Sequence, residues 1–448
     1  MAFIRYRRQH MPLFCNITLC INHRCQKSTK FALRNSRKNA LRKLSRGFLE
    51  MVDILDTKAW KMADWDYSDM VVRDMIPLLN DPLSIQERIE RLNEILKVCP
   101  EYYPALIELG YRHIQEGRDE IGKISIDKGL QSLAKYFSKK DLKDAYYDVC
   151  EFLENHLRFE MAIKYYNKLL EIEEDKAYVY DCIGACYSYL GDFEKAFEIQ
   201  QKTLELCDSN HRFYCNMGWI EMLRGNLNAA KNMLEKSLQL NQTHEVTLKN
   251  YEICKLMLKN KQLKNWEAYL LKGMDYEDIK RLGDEDGEYE KQVQIYNRNR
   301  VEAFKFALMR NSNYTPARKY DILFTLNYVF DIIQKSYSID YFFNDDIAEV
   351  RENFEPIMYR VILKTSDIDD EILGDIYTSL LEFYEFLAKQ KVIPECKSLE
   401  EKMLKLKPEI RRKMLRYNEI RHNDEYTEEK KDKIREELFG EDAFLPFL

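Results

Sequence analysis

Residues 177–210 read AYVYDCIGACYSYLGDFEKAFEIQQKTLELCDSN, and residues 211–244 read HRFYCNMGWIEMLRGNLNAAKNMLEKSLQLNQTH. The two stretches align without a gap. Gly184 falls on Gly218, Gly191 on Gly225, Tyr180 on Tyr214, Phe193 on Leu227 and Ala196 on Ala230, each pair 34 residues apart. A fixed period of this length predicts stacked supersecondary units, none of which buries its apolar face alone. No proline lies between Pro104 and Pro316. Such an interval, rich in Leu, Lys, Glu, Ala and Tyr, predicts helix after helix.

The same frame extends toward the N-terminus. Residues 143–176 place Tyr146, Phe159, Ala162, Tyr166 and Leu169 in register, and residues 103–136 place Leu106, Gly110, Gly117, Gly122 and Gly129. Residues 80–102 read as a lone second helix, and 245–272 as a degenerate last repeat with Leu248, Tyr251 and Trp266. The period and pattern resemble the tetratricopeptide repeat (TPR). Tyr180, Ile183, Gly184, Tyr187, Ala196 and Thr203 match its signature in the first quoted repeat, where Gln200 departs at repeat position 24. Tyr214, Met217, Gly218, Ala230, Leu234 and Ser237 match it in the second, where Glu221 replaces a tyrosine.

The resemblance implies an all-α chain: a TPR-type right-handed superhelix of antiparallel helix pairs, followed by a C-terminal α-helical domain. Gly184, Ala196, Gly218 and Ala230 are the expected points of close helix approach. Gly191 and Gly225 are expected to end the first helix of each pair in a left-handed backbone, with Asp192 capping the next helix. In this family the concave groove is lined from the first helix of each pair. Carried over, its positions include Tyr111, Tyr147, Glu151, Asp181, Tyr189, Arg212, Trp219 and Met222. An aromatic groove with acidic residues in its middle suits a peptide with apolar anchors and some positive charge. The alternative is that Trp219 or Tyr147 packs within the protein itself. Some family members clamp acidic C-terminal peptides with Lys, Arg and Asn. Here Glu151 and Asp181 occupy such places, and only Arg212 and Lys249 are basic, which argues against that use.

Charge is unevenly distributed. The net charge is −6, but residues 1–50 carry twelve bases against the single acid Glu50. The remainder is therefore strongly acidic, which argues against nucleic-acid binding. Three readings of 1–50 stand: an extension preceding a start at Met51, an Arg-rich transit peptide, or a basic tail. Cys15, Cys20, His23 and Cys25 lack zinc-like spacing. The eleven cysteines show no disulfide-scaffold pattern, which fits a reducing, cytoplasmic setting, or an organellar one if 1–50 is a transit peptide. No run of about 18 apolar residues predicts a transmembrane helix.

The expected organisation is a helical lead-in at 51–79, repeats at 80–272, an acidic linker at 273–290 and a helical domain at 291–448. Helices are expected near 289–310, after Thr315-Pro316, at 345–364, 369–390, 397–420 and 427–438, and the apolar 443–448 is a docking candidate. No phosphate loop, nucleophile elbow or H-E-x-x-H motif occurs. The seven histidines show no metal-like spacing, and Cys182 and Cys186 read as core residues. The expectation is a non-enzymatic scaffold that binds a protein or peptide, with no metal or cofactor. The alternative is an enzyme, or enzyme subunit, whose site lies in the C-terminal region.

Overall fold

The computed structural model describes residues 84–98, 100–273, 288–336, 342–365, 368–421 and 423–440. The expectations for 1–50, 51–79 and 443–448, and for most of 273–290, lie outside these residues. The described residues form eighteen helices and no strand, and they divide into two compact units at Asn260/Lys261.

The first unit is a TPR superhelix. Helix α1 (Ile85–Val98) packs on α2 (Tyr103–Gln115), which pairs with α3 (Asp119–Tyr136). The next pairs are α4 (Lys139–Asn155) with α5 (Phe159–Leu169), α6 (Lys176–Leu190) with α7 (Phe193–Leu206), and α8 (His211–Arg224) with α9 (Leu227–Leu240). Helix α10 (Glu245–Lys259) closes the stack on α9.

One backbone device makes each pair turn. Gly117, Leu157, Gly191 and Gly225 occupy the same repeat position, and all have positive φ, at 74°, 61°, 82° and 82°. The following N–H reaches back five residues. Arg118 donates to His113 O, Arg158 to Leu153 O, Asp192 to Tyr187 O and Asn226 to Glu221 O, at 2.8–3.0 Å. These bonds satisfy carbonyls that the helix end leaves orphaned. Leu157 is the exception that spacing alone did not flag. A left-handed backbone costs an L-residue about 1–2 kcal/mol, and burial of the Leu157 side chain offsets it. The Asp192 carboxylate caps the next helix by accepting from Lys195 N at 3.1 Å.

Glycine also sets how closely helices meet. A Cβ on Gly110 would lie 2.5 Å from Ile126 Cγ1 and 2.7 Å from the Gly122 carbonyl oxygen. Thus α2 and α3 touch backbone to backbone. At Gly184 the nearest atom is Gln200 Oε1, at 3.2 Å, a side-chain contact looser than the backbone approach at Gly110.

The second unit starts before the repeat period was expected to end. Helix α11 (Trp266–Leu270) packs on α12 (Glu288–Arg310). Arg300 of α12, 1% exposed, donates to Leu270 O and Lys272 O and pairs with Asp345 at 2.9 Å. Helix α13 (Pro316–Ser336) is capped by Thr315, whose hydroxyl accepts from Arg318 N. The expected single helix at 345–364 is two, α14 (Ile347–Glu352) and α15 (Phe354–Lys364). Pro356 has no N–H to offer Glu352 O, which weakens the ladder where the chain breaks at Asn353. Then come α16 (Asp370–Lys389), α17 (Lys397–Arg421) and α18 (Glu428–Phe439). Phe304, Phe330, Phe383 and Phe386 form the aromatic centre of this unit.

Gly110→Ala is expected to destabilise the chain by about 1–3 kcal/mol through overpacking, despite a helix-propensity gain of about 1 kcal/mol. Gly184→Ala is expected to cost less than Gly110→Ala, the same gain offsetting a contact short by only a few tenths of an ångström. Urea denaturation followed by circular dichroism orders the two. Equal losses would mean that backbone contact between α2 and α3 is not what selects glycine.

Candidate functional site

The groove positions divide into an enclosed part and an open part. On α6 and α8 they are enclosed. Trp219 and Met222 are fully buried, and Asp181 and Tyr189 are buried with little exposure. Tyr189 is stacked on Phe159 with centroids 5.2 Å apart and tilted against Trp219 at 5.9 Å. Every residue from Phe213 to Leu223 is buried. Apolar side chains encircle this helix, so it has no polar stripe to turn toward water. At Asp181, Tyr189, Trp219 and Met222 the structure places interior instead.

Asp181 has a specific role in that interior. Its carboxylate accepts from Asn216 Nδ2 at 2.9 Å on both oxygens and from Gln200 Nε2 at 2.8 Å. Gln200 Nε2 also donates to Phe213 O at 3.1 Å. The departure at Gln200 is therefore matched by Asp181 in its own repeat and by Asn216 in the next. Burial pushes the Asp181 carboxyl up to about 6, while Asn216, Gln200 and Arg212 pull it back. Asn250 stands 34 residues after Asn216 and donates to Cys215 Sγ at 3.7 Å. This recurrence of Asn was readable in the sequence, and the groove-based reading passed over it. Arg212 is half-buried in the first turn of α8.

On α2 and α4 the face is open. Asp141, Asp144, Asp148 and Glu151 are exposed at helical spacing on α4. Desolvation, then Glu151 and Asp144, push the Asp148 carboxyl up to about 6. Tyr111 of α2 stacks on Phe152 at 3.9 Å, and Phe152 stacks on His156 at 4.0 Å. Burial raises the Tyr111 hydroxyl well above its ordinary value, helped by Asp148, Glu108 and Glu151. Tyr147 is half-buried; its hydroxyl donates to Glu173 at 3.2 Å and its ring meets Tyr178 at 5.8 Å. Of the expected groove residues, Tyr111, Tyr147 and Glu151 thus lie on this face, and Asp148 was missed because it stands off the family's groove positions.

The other candidate groups are structural. Burial holds the Cys182 and Cys186 thiols well above their ordinary range. His211 and His244 meet edge to face at 4.5 Å, and burial, His244 and Arg212 lower His211 to about 4. Among the described residues, no three His, Cys, Asp or Glu side chains are grouped to hold a metal. No described helix is long and apolar enough to cross a membrane.

Turn geometry, helix pairing and repeat register together define the class of the first unit: a stack of tetratricopeptide-type repeats. Residues 211–244 match the sequence profile of the tetratricopeptide repeat. Among curated relatives, the chain is 25% identical over 236 residues to the human mitochondrial import receptor subunit TOM70, covering 51% of this chain and 38% of that one. It is 27% identical over 128 residues to the mouse TOM70, and 45% identical over 49 residues to that of Saccharomyces cerevisiae, 8% of its length. The chain therefore spans less than half the length of the relatives it matches. Among solved structures, MamA from Desulfovibrio magneticus aligns over 40% of this chain at 17% identity and TM-score 0.29. The P58(IPK) TPR domain aligns over 84% at 13% identity and TM-score 0.21.

The Asp181 network makes stability depend on pH. Its folded value of about 6 exceeds the ordinary 3.8, so the folded state holds this proton more tightly. The contribution is complete below pH about 4 and is lost as pH rises through 6, on the order of 2–3 kcal/mol. Asp181→Asn is expected to flatten the pH dependence of the urea midpoint between pH 4 and 7. An unchanged profile would show that Asp181 does not titrate in this window.

Proposed function

We propose that this chain is a protein-interaction scaffold whose α2/α4 face receives a basic, amphipathic segment of a protein partner. The observation that carries the reading is the exposed stripe Asp141, Asp144, Asp148 and Glu151 beside the Tyr111–Phe152 stack. Four carboxylates share this face, and desolvation first, then Glu151 and Asp144, raise the Asp148 carboxyl. A cationic segment relieves the repulsion, while Tyr111 and Ile107 offer apolar contact. Such a surface gives orientation and a fast on-rate through charge, and affinity through its aromatic anchor.

The named role of the relatives favours a particular setting. They are mitochondrial import receptor subunits, and we carry that role over as a receptor for protein cargo associated with mitochondria. This fits the organellar reading of location better than the cytoplasmic one. The second helical unit supplies a separate surface.

The test uses fluorescence anisotropy of a labelled amphipathic helix bearing arginine on one face and leucine on the other. Asp144→Lys/Glu151→Lys is expected to weaken binding to the full chain at least tenfold and to reduce its salt dependence. Tyr111→Ala is expected to cost about 2 kcal/mol of binding energy if it is the anchor. Both charge reversals sit on exposed positions, so circular dichroism should be unchanged. Equal affinity in the charge-reversed and wild-type chains would reject the α2/α4 face.

A further inference from the structure

The second unit carries its own interaction surface. Between α17 and α18 lies a cleft of about 550 Å³. Pro408, Leu415, Ile434 and Leu438 give it an apolar floor. Arg411, Arg412 and Arg416 line its α17 side, and Glu419 and Glu437 complete it. Leu404 and Leu415 of α17 are among the large apolar side chains left exposed, at 56% and 38%. Helix α17 carries nine bases and four acids, a balance of +5 in a chain whose net charge is −6.

We infer that this cleft receives the chain's own residues Glu441–Leu448. That segment reads EDAFLPFL: two acids, no base, and four large apolar residues. Its composition complements the cleft in both respects. Its point of departure also fits. Helix α18 ends at Phe439, whose ring packs edge to face on Tyr417 at 5.5 Å, beside Leu415 and Arg416 in sequence. Gly440 follows with φ of 80°, a backbone that glycine adopts without strain and that ends the helix there. Eight extended residues reach about 26 Å, and Pro408 to Glu419 spans about 17 Å of helix. The arginines pair with acids near the surface: Arg411 with Asp370 at 2.6 Å, Arg412 with Glu409 at 2.6 Å and Arg416 with Glu419 at 3.0 Å, Arg416 also meeting Tyr426. Exposed pairs of this kind contribute little and exchange readily. Glu441 and Asp442 can therefore take over guanidinium contacts while Phe444, Leu445, Phe447 and Leu448 cover the floor. This surface is independent of the α2/α4 face.

The experiment compares the full chain with full-length Phe444→Gln/Phe447→Gln. A fluorescein-labelled EDAFLPFL peptide is added to each, and amide exchange is followed over 404–419 and 434–439. The double variant is expected to exchange at least fivefold faster there and to bind the peptide at least tenfold more tightly than wild type, whose cleft is filled in cis. Leu415→Gln or Arg411→Glu/Arg416→Glu, all at exposed positions, added to the double variant should abolish peptide binding with unchanged circular dichroism. Equal exchange and equal peptide binding in the two chains would overturn the inference. So would wild-type protection that disappears on dilution while mass falls from dimer to monomer, which would place the segment on a second copy.

Discussion

Each helix pair of the first unit turns on one residue in a left-handed backbone. Gly117, Leu157, Gly191 and Gly225 hold that conformation, and the next N–H closes onto a carbonyl five residues back. The turn fixes where the second helix begins and at what angle it returns. Everything downstream inherits that geometry: the contact at Gly110 and Gly122, the stacking of repeat on repeat, and the alignment of first helices along one side. Leu157 shows that the conformation, rather than glycine itself, is the requirement. A buried leucine can meet the steric cost where its side chain has somewhere apolar to go.

Within this frame the repeats are used in two ways. The later first helices, α6 and α8, are surrounded by packing and stitched together by the Asp181–Asn216–Gln200 network. A buried carboxylate without good partners would be costly; here three donor contacts satisfy it, yet burial still raises its proton affinity. On the earlier helices, Asp141, Asp144, Asp148 and Glu151 of α4 stay exposed, while Glu154 is enclosed beside Tyr166 and the aromatics of α2 and α4 are half-covered. The interior part gives rigidity and the open part gives a charged, aromatic surface. The second unit follows a different logic, in which the buried guanidinium of Arg300 gathers the ends of neighbouring elements. Its most basic helix, α17, contrasts with the acidic face of α4.

The helices were largely legible in the sequence because their signals are local. Thr315-Pro316, Asp192 and the glycines at helix ends act within a few residues, and the apolar spacing of 322–333 and 372–387 needs no knowledge of the partner helix. The break at Asn353 was less visible, because the effect of Pro356 depends on where the helix would otherwise start. The placement of α11 with α12 was also missed. Trp266 fits the repeat spacing, while a contact that holds α11 comes from Arg300, thirty residues beyond Leu270.

The sequence by itself determined the repeat: its period, its turn residues, its helix pairing and the acidic character of α4. These follow from spacing and from backbone preferences that each residue carries with it. Which groove positions face water was decided only by tertiary structure. Asp181 and Glu151 are both acids at positions equivalent in kind, and no local signal separates them. Asp181 is interior because Asn216 and Gln200, from the next repeat and the paired helix, converge on it. Glu151 is exposed on α4. Burial is a property of what packs against a residue, and that is set by the stacking of whole repeats rather than by any one of them.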